Sequence, residues 1–249
     1  MAWCCTKPLL FLVYLFFNHI RTMKKIFYLG LIALFASCIK KDPPAPTGEI
    51  KVRFVNAVLG STPQDMFVNG IKDPNSAPLN YGQFSPYFTA TSGDNAFAFA
   101  EVGTTEGLGN AGTRGTFSIG DNASVFYFRL LERNGSELAA GITLDDNTPV
   151  EGKAKVKFMH LNSNLDHFIS FLQEDPADDT KKIAIDPGVA FANASKYYTL
   201  EPGAKLFARA TGMAEDLLIN VDLKAGKNYT IWIDGPSDSE LVSHPILQN

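Results

Sequence analysis

Polar and apolar residues alternate in short runs along this chain from about residue 50 to its end. Lys51–Phe54 and Lys153–Phe158 alternate polar with apolar side chains, and Ala96–Ala100 alternates alanine with phenylalanine. A period of two is that of a β-strand with one face in a core. After residue 37 no stretch keeps an apolar period of 3.6 residues over three turns, so the pattern predicts an all-β fold. Asn-Gly and Asp-Gly pairs between the runs predict tight hairpins, at 69–70, 134–135 and 234–235.

The alternating pattern occurs twice. Lys51–Phe54 recurs as Lys155–Phe158, an offset of 104 residues. A nearly constant offset indicates two copies of a unit of about 100 residues, the second about six residues longer in its middle. Other segments align at similar offsets: Val125 with Tyr229 at 104, Ser136–Leu138 with Ser239–Leu241 at 103, and Phe97 with Phe207 at 110.

Each copy has the features of a β-sandwich. About seven short strands in roughly 100 residues, with turns every 8–12 residues, are typical of that architecture. A unit of this size buries a core without disulfide bonds. We therefore predict two immunoglobulin-like β-sandwich domains in tandem, at 50–147 and 150–249, with the boundary in the turn-rich stretch 145–149.

A targeting segment precedes the sandwiches. A secretory signal peptide begins with basic residues, continues with an apolar run and ends with small residues before the cleavage site. The chain has this order from Met23, with a basic pair, the apolar run 26–36 and small residues before Cys38. Leu34–Cys38 resembles the lipobox of bacterial lipoproteins, with Phe35 where leucine is usual. That resemblance implies cleavage before Cys38, whose sulfur then carries diacylglycerol. The alternatives are a plain signal that leaves a free thiol, and a membrane anchor, for which eleven apolar residues fall short of the roughly 20 required.

Residues 1–37 are assigned to targeting. A second apolar block at 9–17 either precedes the true start, Met23, or forms a two-helix anchor together with the signal. Residues 38–49 form the lipidated tether, since Lys40–Pro46 is charged and then proline-rich, as in stiff linkers. The lipobox resemblance implies a lipid anchor in the bacterial cell envelope, which we predict at the outer membrane, on either its periplasmic or its outer face.

Removal of the targeting segment leaves an acidic chain with one cysteine. Residues 1–37 hold four of the 22 basic residues and none of the 26 acidic ones, so the net charge falls from −4 to about −8. An acidic surface argues against nucleic acid as a partner. Cys38 is then the only cysteine, which excludes a disulfide framework, a cysteine-ligated zinc site and a cysteine nucleophile.

Three segments of the first copy carry a family resemblance. They are, in order, Val52–Ala57, Asp65–Gly70 and Tyr81–Tyr87. Together they resemble the domain of unknown function family 4397. The second copy keeps parts of the pattern, with His160 at the end of its first strand and Asp166 ahead of Phe168. The resemblance covers both copies, at about 50–145 and 153–245, and implies a secreted or surface β-sandwich, often in tandem, with no known reaction.

No motif in the chain predicts a cofactor, a metal or a catalytic set. Residues 107–112 satisfy the glycine spacing of a dinucleotide loop, but a strand follows where that loop needs a helix, so a flexible loop, open to binding, is expected. His160, His167 and His244 lack zinc spacing and a nucleophile motif. His160 occupies the place of Asn56 in the first copy, and we expect structural roles for both His160 and His167.

Two further features leave alternatives open. The acidic cluster within 173–180 is expected at a solvated hairpin tip, or as a weak calcium site. Consecutive aromatic residues cannot both face one core, because neighbours on a strand point to opposite faces. One member of each such pair therefore faces solvent, a ligand or the other domain, in Tyr87–Phe88, Tyr127–Phe128 and Tyr197–Tyr198.

These features predict a non-enzymatic surface lipoprotein whose two sandwiches bind a glycan, a protein or the cell envelope, through residues that the sequence does not identify. One alternative is an accessory subunit or hydrolase with a site at the loop ends, where Asp166, His167 and the 173–180 loop meet in a pocket. The other is a structural spacer, which has neither a pocket nor an exposed aromatic cluster.

Overall fold

The computed structural model describes residues 46–72, 76–104, 111–131 and 137–249. Cys38 and the predicted targeting segment lie outside these ranges. All regular structure in the described part is β, in 16 strands. It contains no helix long and apolar enough to span a membrane. The strands are β1 Glu49–Asn56, β2 Gln64–Val68, β3 Ile71–Lys72, β4 Phe88–Thr91, β5 Gly93–Glu101, β6 Ala111–Phe117, β7 Asn122–Arg129, β8 Leu138–Asp145, β9 Ala154–His160, β10 Ile169–Asp175, β11 Asp178–Val189, β12 Ala194–Leu200, β13 Leu206–Ala210, β14 Leu217–Ile219, β15 Asn228–Asp234 and β16 Val242–Leu247.

The strands form four sheets of four. In the first half of the chain, sheet A has the order β4-β1-β7-β8 and sheet B the order β3-β2-β5-β6. In the second half, sheet C has the order β12-β9-β15-β16 and sheet D the order β11-β10-β13-β14. Each strand of the second half has the same position in its sheet as the strand numbered eight lower has in the first half. The predicted all-β fold with two β-sandwich domains is confirmed, and each sandwich has eight strands where about seven were expected.

The first strand of each sandwich is central in its sheet. β1 pairs antiparallel with β4 and parallel with β7, and β9 makes the same two kinds of pair with β12 and β15. In an immunoglobulin domain the first strand lies at a sheet edge. The alternation of side chains predicts two layers but not this order, because the parallel pairs join segments that are far apart along the chain.

Three apolar cores separate the four sheets. One lies between sheets A and B, around Phe54 and Phe97, and a second between sheets C and D, around Phe158 and Phe171. A third lies between sheets A and C and contains Val55, Phe126, Phe128, Met159 and Trp232. The layers are therefore stacked in the order B, A, C, D, within the unit formed by residues 47–249. Because sheets A and C are covered on both faces, every residue of β9 and of β15 is buried.

The strand register corrects one equivalence inferred from sequence offsets. Phe54 pairs with Val125 in the first sandwich, and Phe158 pairs with Ile231 in the second. Val125 therefore corresponds to Ile231, 106 residues later, and not to Tyr229 at 104. The sequence alignment of the two copies is therefore displaced by two residues at this strand. Because side chains alternate with a period of two, the predicted face of the strand is correct, whereas the predicted equivalent residue is wrong.

A second equivalence is wrong by one position. Phe97 lies in the core between sheets A and B. Phe207 lies instead on the outer face of sheet D, where the Lys182 ammonium stands 4.0 Å from the centre of its ring. A slip of one residue moves a side chain to the other face of a sheet, so a match of aromatic residues alone did not establish the register.

The predicted hairpins have different outcomes. The Asn-Gly pair at 69–70 joins β2 to β3, and its φ angles of 52° and 79° are those of a type I′ turn, as predicted. The Asp-Gly pair at 234–235 does not form a tight turn, because the longer segment 235–241 separates β15 from β16. Glycine is required there by space, since a Cβ atom would stand 1.8 Å from the carbonyl oxygen of Glu240. The pair at 134–135 lies outside the described residues.

Candidate functional site

The contact between sheets A and C brings equivalent residues of the two sandwiches together. Arg53 on β1 and Lys157 on β9 occupy the same place, and each reaches the last strand of the other sandwich. Arg53 donates from Nη1 to the carbonyl oxygen of Leu247 at 3.1 Å, and Lys157 donates from Nζ to that of Leu144 at 2.7 Å. The contact therefore follows an approximate twofold symmetry within one chain, like the interface of a symmetric dimer.

Asp145, at the end of β8, is the centre of the polar part of this contact. Its two oxygens accept hydrogen bonds from Tyr87 Oη at 2.7 Å, Ser124 Oγ at 2.5 Å, Gln248 Nε2 at 2.7 Å and Lys157 Nζ at 3.0 Å. The side chains of Asp145 and Lys157 are 0% and 3% exposed. Burial lowers the pKa of Lys157, and the Asp145 carboxylate opposes that shift. The two residues form a buried ion pair whose carboxylate is fully hydrogen-bonded.

Each predicted aromatic pair divides between a core and this contact. The members that face their own core are Phe88, Tyr127 and Tyr198. The members that face the other sandwich are Tyr87, Phe128 and Tyr197. The prediction that one member of each pair leaves the core is confirmed. Phe128 is buried there, whereas Tyr87 and Tyr197 are half-buried, with their hydroxyl groups bonded to Asp145 and Gln248.

A second polar group closes the other end of the contact. Tyr81 of the first sandwich donates to Asp234 Oδ2 of the second at 2.7 Å, and its oxygen lies 3.2 Å from His244 Nε2. His244 Nε2 is also 2.9 Å from Asp234 Oδ1, and its ring stacks on Trp232 at 3.7 Å. Burial and the hydrogen bond to Asp234 raise the pKa of Tyr81, so the phenol keeps its proton. His244 thus serves to join the sandwiches.

His160 has the structural environment expected for it. Its Nδ1 accepts a hydrogen bond at 3.2 Å from the backbone N–H two residues later, which places the ring proton on Nε2. Nε2 then donates to the carbonyl oxygen of His167 at 3.0 Å. Asn56 makes the same two bonds with its amide, accepting from the N–H two residues later at 3.1 Å and donating to the Leu79 carbonyl at 3.0 Å. Burial lowers the pKa of His160 to about 4, so the ring is neutral at pH 7.

The residues of the alternative loop-end site do not meet. Asp166 and His167 stand 3.4 Å apart just before β10, with side chains 46% and 66% exposed. The 173–180 segment lies at the other end of the same strand, roughly 20 Å away at about 3.3 Å per residue. The structure therefore places these groups in two separate surface positions.

The acidic cluster of 173–180 forms the tip of the hairpin between β10 and β11. Two of its carboxylates pair with lysines, Glu174 with Lys205 at 2.9 Å and Asp178 with Lys181 at 2.7 Å. Within the described ranges no group of three or more metal-ligating side chains occurs. The hairpin-tip interpretation therefore accounts for these residues, and nothing in their arrangement favours the calcium alternative.

The outer face of sheet B carries an open groove. Phe97 and Phe99 on β5 point into the core, so Ala96 and Ala98 point outward. Together with Gly112 on β6, these small side chains lower the surface of the sheet along its centre. The groove consists of two adjoining depressions, one of about 480 Å³ lined by Ala96, Ala98, Gly112 and Arg114, and one of about 640 Å³ lined by Asn69, Asp94, Ala96, Arg114 and Thr116.

The outer face of sheet D is filled at the corresponding place. Leu172 and Phe207 are register partners there, and Phe207 is also the partner of Leu218. Lys182 crosses this row and binds Asp216 at 2.7 Å. Hydrogen bonds from Arg209 and Lys182 lower the pKa of Asp216 to about 2. Phe207, Leu218 and ion pairs thus cover this face of sheet D, whereas on sheet B the large outward side chain, Phe67, is buried with Ala98 and Ala100 beside the groove.

The glycine-rich segment 107–112 precedes the groove. Residues 105–110 lie outside the described part of the chain, whereas Ala111 and Gly112 begin β6. A strand therefore follows the glycine run, as expected, and not the helix of a dinucleotide site.

Sequence reasoning missed the charged residues of the contact between the sandwiches. Arg53 and Lys157 occupy polar positions of alternating strands, which usually face solvent. The available signal was the uninterrupted apolar run at 125–128, because a strand that is apolar on both faces is covered on both faces.

Comparison with known proteins places the first sandwich in a family. Residues 50–167 match the family model described as Domain of unknown function (DUF4397). The predicted family is confirmed. The DUF4397 match contains the whole first sandwich and β9 of the second. No curated protein is significantly similar to the chain.

Solved structures resemble this chain weakly. One is "Structure of Sugar Binding Protein Pneumolysin", with 12% identity, a TM-score of 0.26, and coverage of 63% of this chain and 39% of that one. Another is a leucine-rich repeat protein from Bacteroides thetaiotaomicron VPI-5482, with 12% identity, a TM-score of 0.23, and coverage of 78% of this chain and 27% of that one. The chain thus spans about two fifths of the pneumolysin structure and about a quarter of the leucine-rich repeat protein.

Proposed function

We propose that this protein is a non-enzymatic lipoprotein of the bacterial cell envelope, in which the two sandwiches form one binding module and the outer face of sheet B is its contact surface. The groove on that face is the observation that carries the proposal. It is built from small residues on β5 and β6, and its rim offers both an exposed carboxylate, Asp94, and an exposed guanidinium, Arg114.

The rest of the molecule supports this assignment by using its polar groups internally. Asp145, Lys157 and Tyr197 satisfy one another or their neighbours between the sandwiches. His160 and His244 hold backbone or side-chain partners in the same way. The face of sheet B is a surface on which the described residues leave room and exposed polar groups for another molecule.

The lipid anchor is tested by Cys38→Ala. Loss of the sulfur removes the only atom that can carry diacylglycerol after cleavage, so we expect the variant in the soluble fraction of disrupted cells. Mass spectrometry of the wild-type protein should show a lipid-modified N-terminus at Cys38. A variant that stays membrane-bound and unprocessed would mean that residues 1–37 are themselves the anchor.

The contact surface is tested with a variant that fills the groove. The purified chain is screened against a glycan array and against isolated envelope material. Ala96→Trp places a large side chain in the groove and should abolish a saturable signal. Leu218→Trp, on the outer face of sheet D at a position 55% exposed, is the matched control and should leave it unchanged. A ligand that binds the Ala96→Trp variant normally would place the contact surface elsewhere.

A structural spacer is the second candidate, and the stacked arrangement favours it. Three continuous cores join four sheets, which suits a part that holds other domains apart. A spacer does not need the groove on sheet B. A folded chain that binds nothing in either screen would favour this function over the binding module.

A further inference from the structure

The edges of the four sheets differ in how they are protected. A strand at the edge of a sheet exposes unpaired backbone N–H and C=O groups, and natural proteins block such edges with short strands, lysine, proline or irregular pairing. Each four-stranded sheet has two edges, so the described residues contain eight edge strands.

Seven of these edges carry a blocking feature. β3, β4 and β14 have only two, four and three residues. β11 and β12 have shifts in register and contain lysine, and β16 contains Pro245. β8 is approached from the second sandwich, where Lys157 bonds Thr143 Oγ1 and the Leu144 carbonyl oxygen.

β6 carries none of these features, although β8 of sheet A packs close to it, since a Cβ atom on Gly115 would stand 2.9 Å from Ile142 Cδ1. β6 has seven residues, Ala111–Phe117, with no proline, no lysine and regular pairing to β5 over its whole length. An edge strand of this kind can pair with an extended strand from another molecule, which is the binding mode called β-strand addition. The equivalent edge of the second sandwich, β14, is too short to offer this.

The direction of the β6 backbone follows from its neighbours. Ala96 on β5 uses both its N–H and its C=O toward Asn69, on the β2 side of the sheet. The backbone N–H and C=O groups of successive residues point to opposite sides of a strand. The residues on either side of Ala96 therefore face β6, where they bond Thr113 and Gly115. The backbone groups of Gly112, Arg114 and Thr116 therefore point away from the sheet, and no backbone hydrogen bond joins them to another described segment.

The side chains of β6 favour a partner with negative charge. Arg114 is exposed and forms no ion pair with a described residue, whereas Lys182, Lys205 and Arg209 on the second sandwich are each paired with a carboxylate. β6 contains no acidic residue, so a second copy of the chain added at the same edge would bring another arginine and no carboxylate. An acidic strand complements the edge better than β6 itself does.

We propose that β6 binds an extended segment of a partner protein by strand addition, with an Asp or Glu side chain of that segment beside Arg114 and its alternate side chains over the groove. Backbone hydrogen bonds to Gly112, Arg114 and Thr116 supply the affinity, and Arg114 and the groove supply the selectivity. The proposal rests on the proposed function and gives its contact surface a ligand class.

The test selects ligands from a display library of random heptapeptides on the immobilised full-length protein. We expect enriched peptides to alternate β-branched residues with others and to carry Asp or Glu at one fixed position. Hydrogen exchange should then show that a synthetic copy of an enriched peptide protects the amides of Gly112, Arg114 and Thr116. Selection that enriches no peptide, or only peptides without an acid, would overturn the proposal.

Two variants separate strand addition from other binding at the same face. Thr116→Pro removes an outward N–H that β5 does not use, so the fold is retained while peptide affinity falls about tenfold, and Thr116→Val is the matched control with wild-type affinity. Arg114→Glu should weaken the acidic peptide about tenfold and should bind a copy with Lys in place of its acid. Equal affinity of wild type and Thr116→Pro would exclude strand addition.

The remaining outcomes distinguish this inference from the proposed function. Self-association of the full-length chain that Thr116→Pro abolishes would make the occupant a second copy and would overturn the acidic partner. A glycan that binds wild type but not Ala96→Trp, with no peptide enriched, would overturn strand addition and leave the binding module in place.

Discussion

The two sandwiches meet through equivalent positions that hold different chemistry. The last long strand of the first sandwich ends at Asp145, and Gln248 holds the corresponding place in the second. Both side chains lie at the approximate twofold axis, and Gln248 Nε2 donates to Asp145 Oδ1 at 2.7 Å. With aspartate on both sides, two carboxylates would face each other in a buried site. The difference teaches that this contact depends on the divergence of its two halves, because the Gln248 amide can donate to the Asp145 carboxylate whereas two ionised carboxylates would repel each other.

The same comparison explains where the charge lies. Arg53 and Lys157 each cross to the other sandwich, but the carboxylate stands only on the first, beside Lys157. Arg53 instead uses backbone carbonyl oxygens and lies 3.7 Å from the centre of the Tyr87 ring. One half of the contact is therefore held by an ion pair, and the other by neutral acceptors and an aromatic face.

Asp145→Asn should break this arrangement most severely. It removes the carboxylate that bonds the buried Lys157 ammonium, and an uncompensated buried charge costs about 3–5 kcal/mol. We expect a loss of that size in the free energy of unfolding, measured by urea denaturation followed by circular dichroism.

Two controls define the cause of that loss. The double variant Asp145→Asn, Lys157→Met removes both charges and should recover most of the stability. Glu174→Gln breaks a pair in which Lys205 is 61% exposed and should cost less than about 1 kcal/mol. Equal losses for Asp145→Asn and Glu174→Gln would mean that the buried pair does not hold the contact.

His160→Asn sharpens the comparison by giving the second sandwich the residue that the first has at this place. The folded protein holds His160 with a pKa of about 4, below the value of about 6.5 expected after unfolding. The unfolded chain therefore binds more protons between these values, and this residue costs up to about 3 kcal/mol of stability as pH falls from 7 to 4. Asparagine does not titrate, so the variant should be less acid-sensitive by up to that amount.

At pH 7 the same variant should lie within about 1 kcal/mol of wild type, because Asn56 already makes both hydrogen bonds with an amide. Urea denaturation at several pH values measures the difference between the two proteins. Parallel curves for wild type and His160→Asn from pH 7 to 4 would contradict a buried neutral ring. His160→Ala, which makes neither bond, should be less stable than both at pH 7.

Tyr81→Phe tests the polar group at the other end of the contact. Phe191 holds the equivalent place in the second sandwich, where its ring packs against Phe128 and no hydroxyl is needed. Loss of the Tyr81 hydroxyl leaves Asp234 Oδ2 without its donor, so we expect about 1–2 kcal/mol of destabilisation in urea. Tyr198→Phe removes a similar bond to Asp186 outside the contact and should cost less. The reverse order would show that the Tyr81 bond contributes little to joining the sandwiches.

The sequence predicted the layers of this molecule better than its contacts. Alternation and turn residues identify the strands because side-chain direction is a local property, and the Asn-Gly turn at 69–70 follows from two residues alone. The central position of β1 and the stacking of sheets A and C depend on pairings between distant segments. Arg53 and Lys157 look like solvent-facing residues in sequence, because the second sandwich covers their face in place of water.

The candidate groove was only partly predictable for the same reason. The alternation of alanine and phenylalanine along Ala96–Ala100 shows that one face of β5 is small, but not whether another sheet covers it. In the first sandwich Ala98 and Ala100 are buried with Phe67 on that face, and the groove lies beside them. On sheet D, Phe207 occupies the outer face, and its agreement with Phe97 in sequence concealed the difference.

Ala192→Gly is the smallest change and acts on a turn that both sandwiches share. Gly82 precedes the segment that pairs with β1 and has a φ of 80°, and Ala192 holds the equivalent place at φ 57°, a left-handed conformation that favours glycine. Each donates its N–H to the carbonyl oxygen of the residue that ends the first strand, Asn56 or His160. Relief of the backbone strain of about 1 kcal/mol outweighs the greater freedom of glycine in the unfolded chain only slightly, so we expect a gain of about 0.5 kcal/mol in urea. Gly82→Ala should lose about 0.5 kcal/mol by the same balance, and a loss for Ala192→Gly as well would mean that contacts of the alanine methyl group, and not φ, decide stability at this turn.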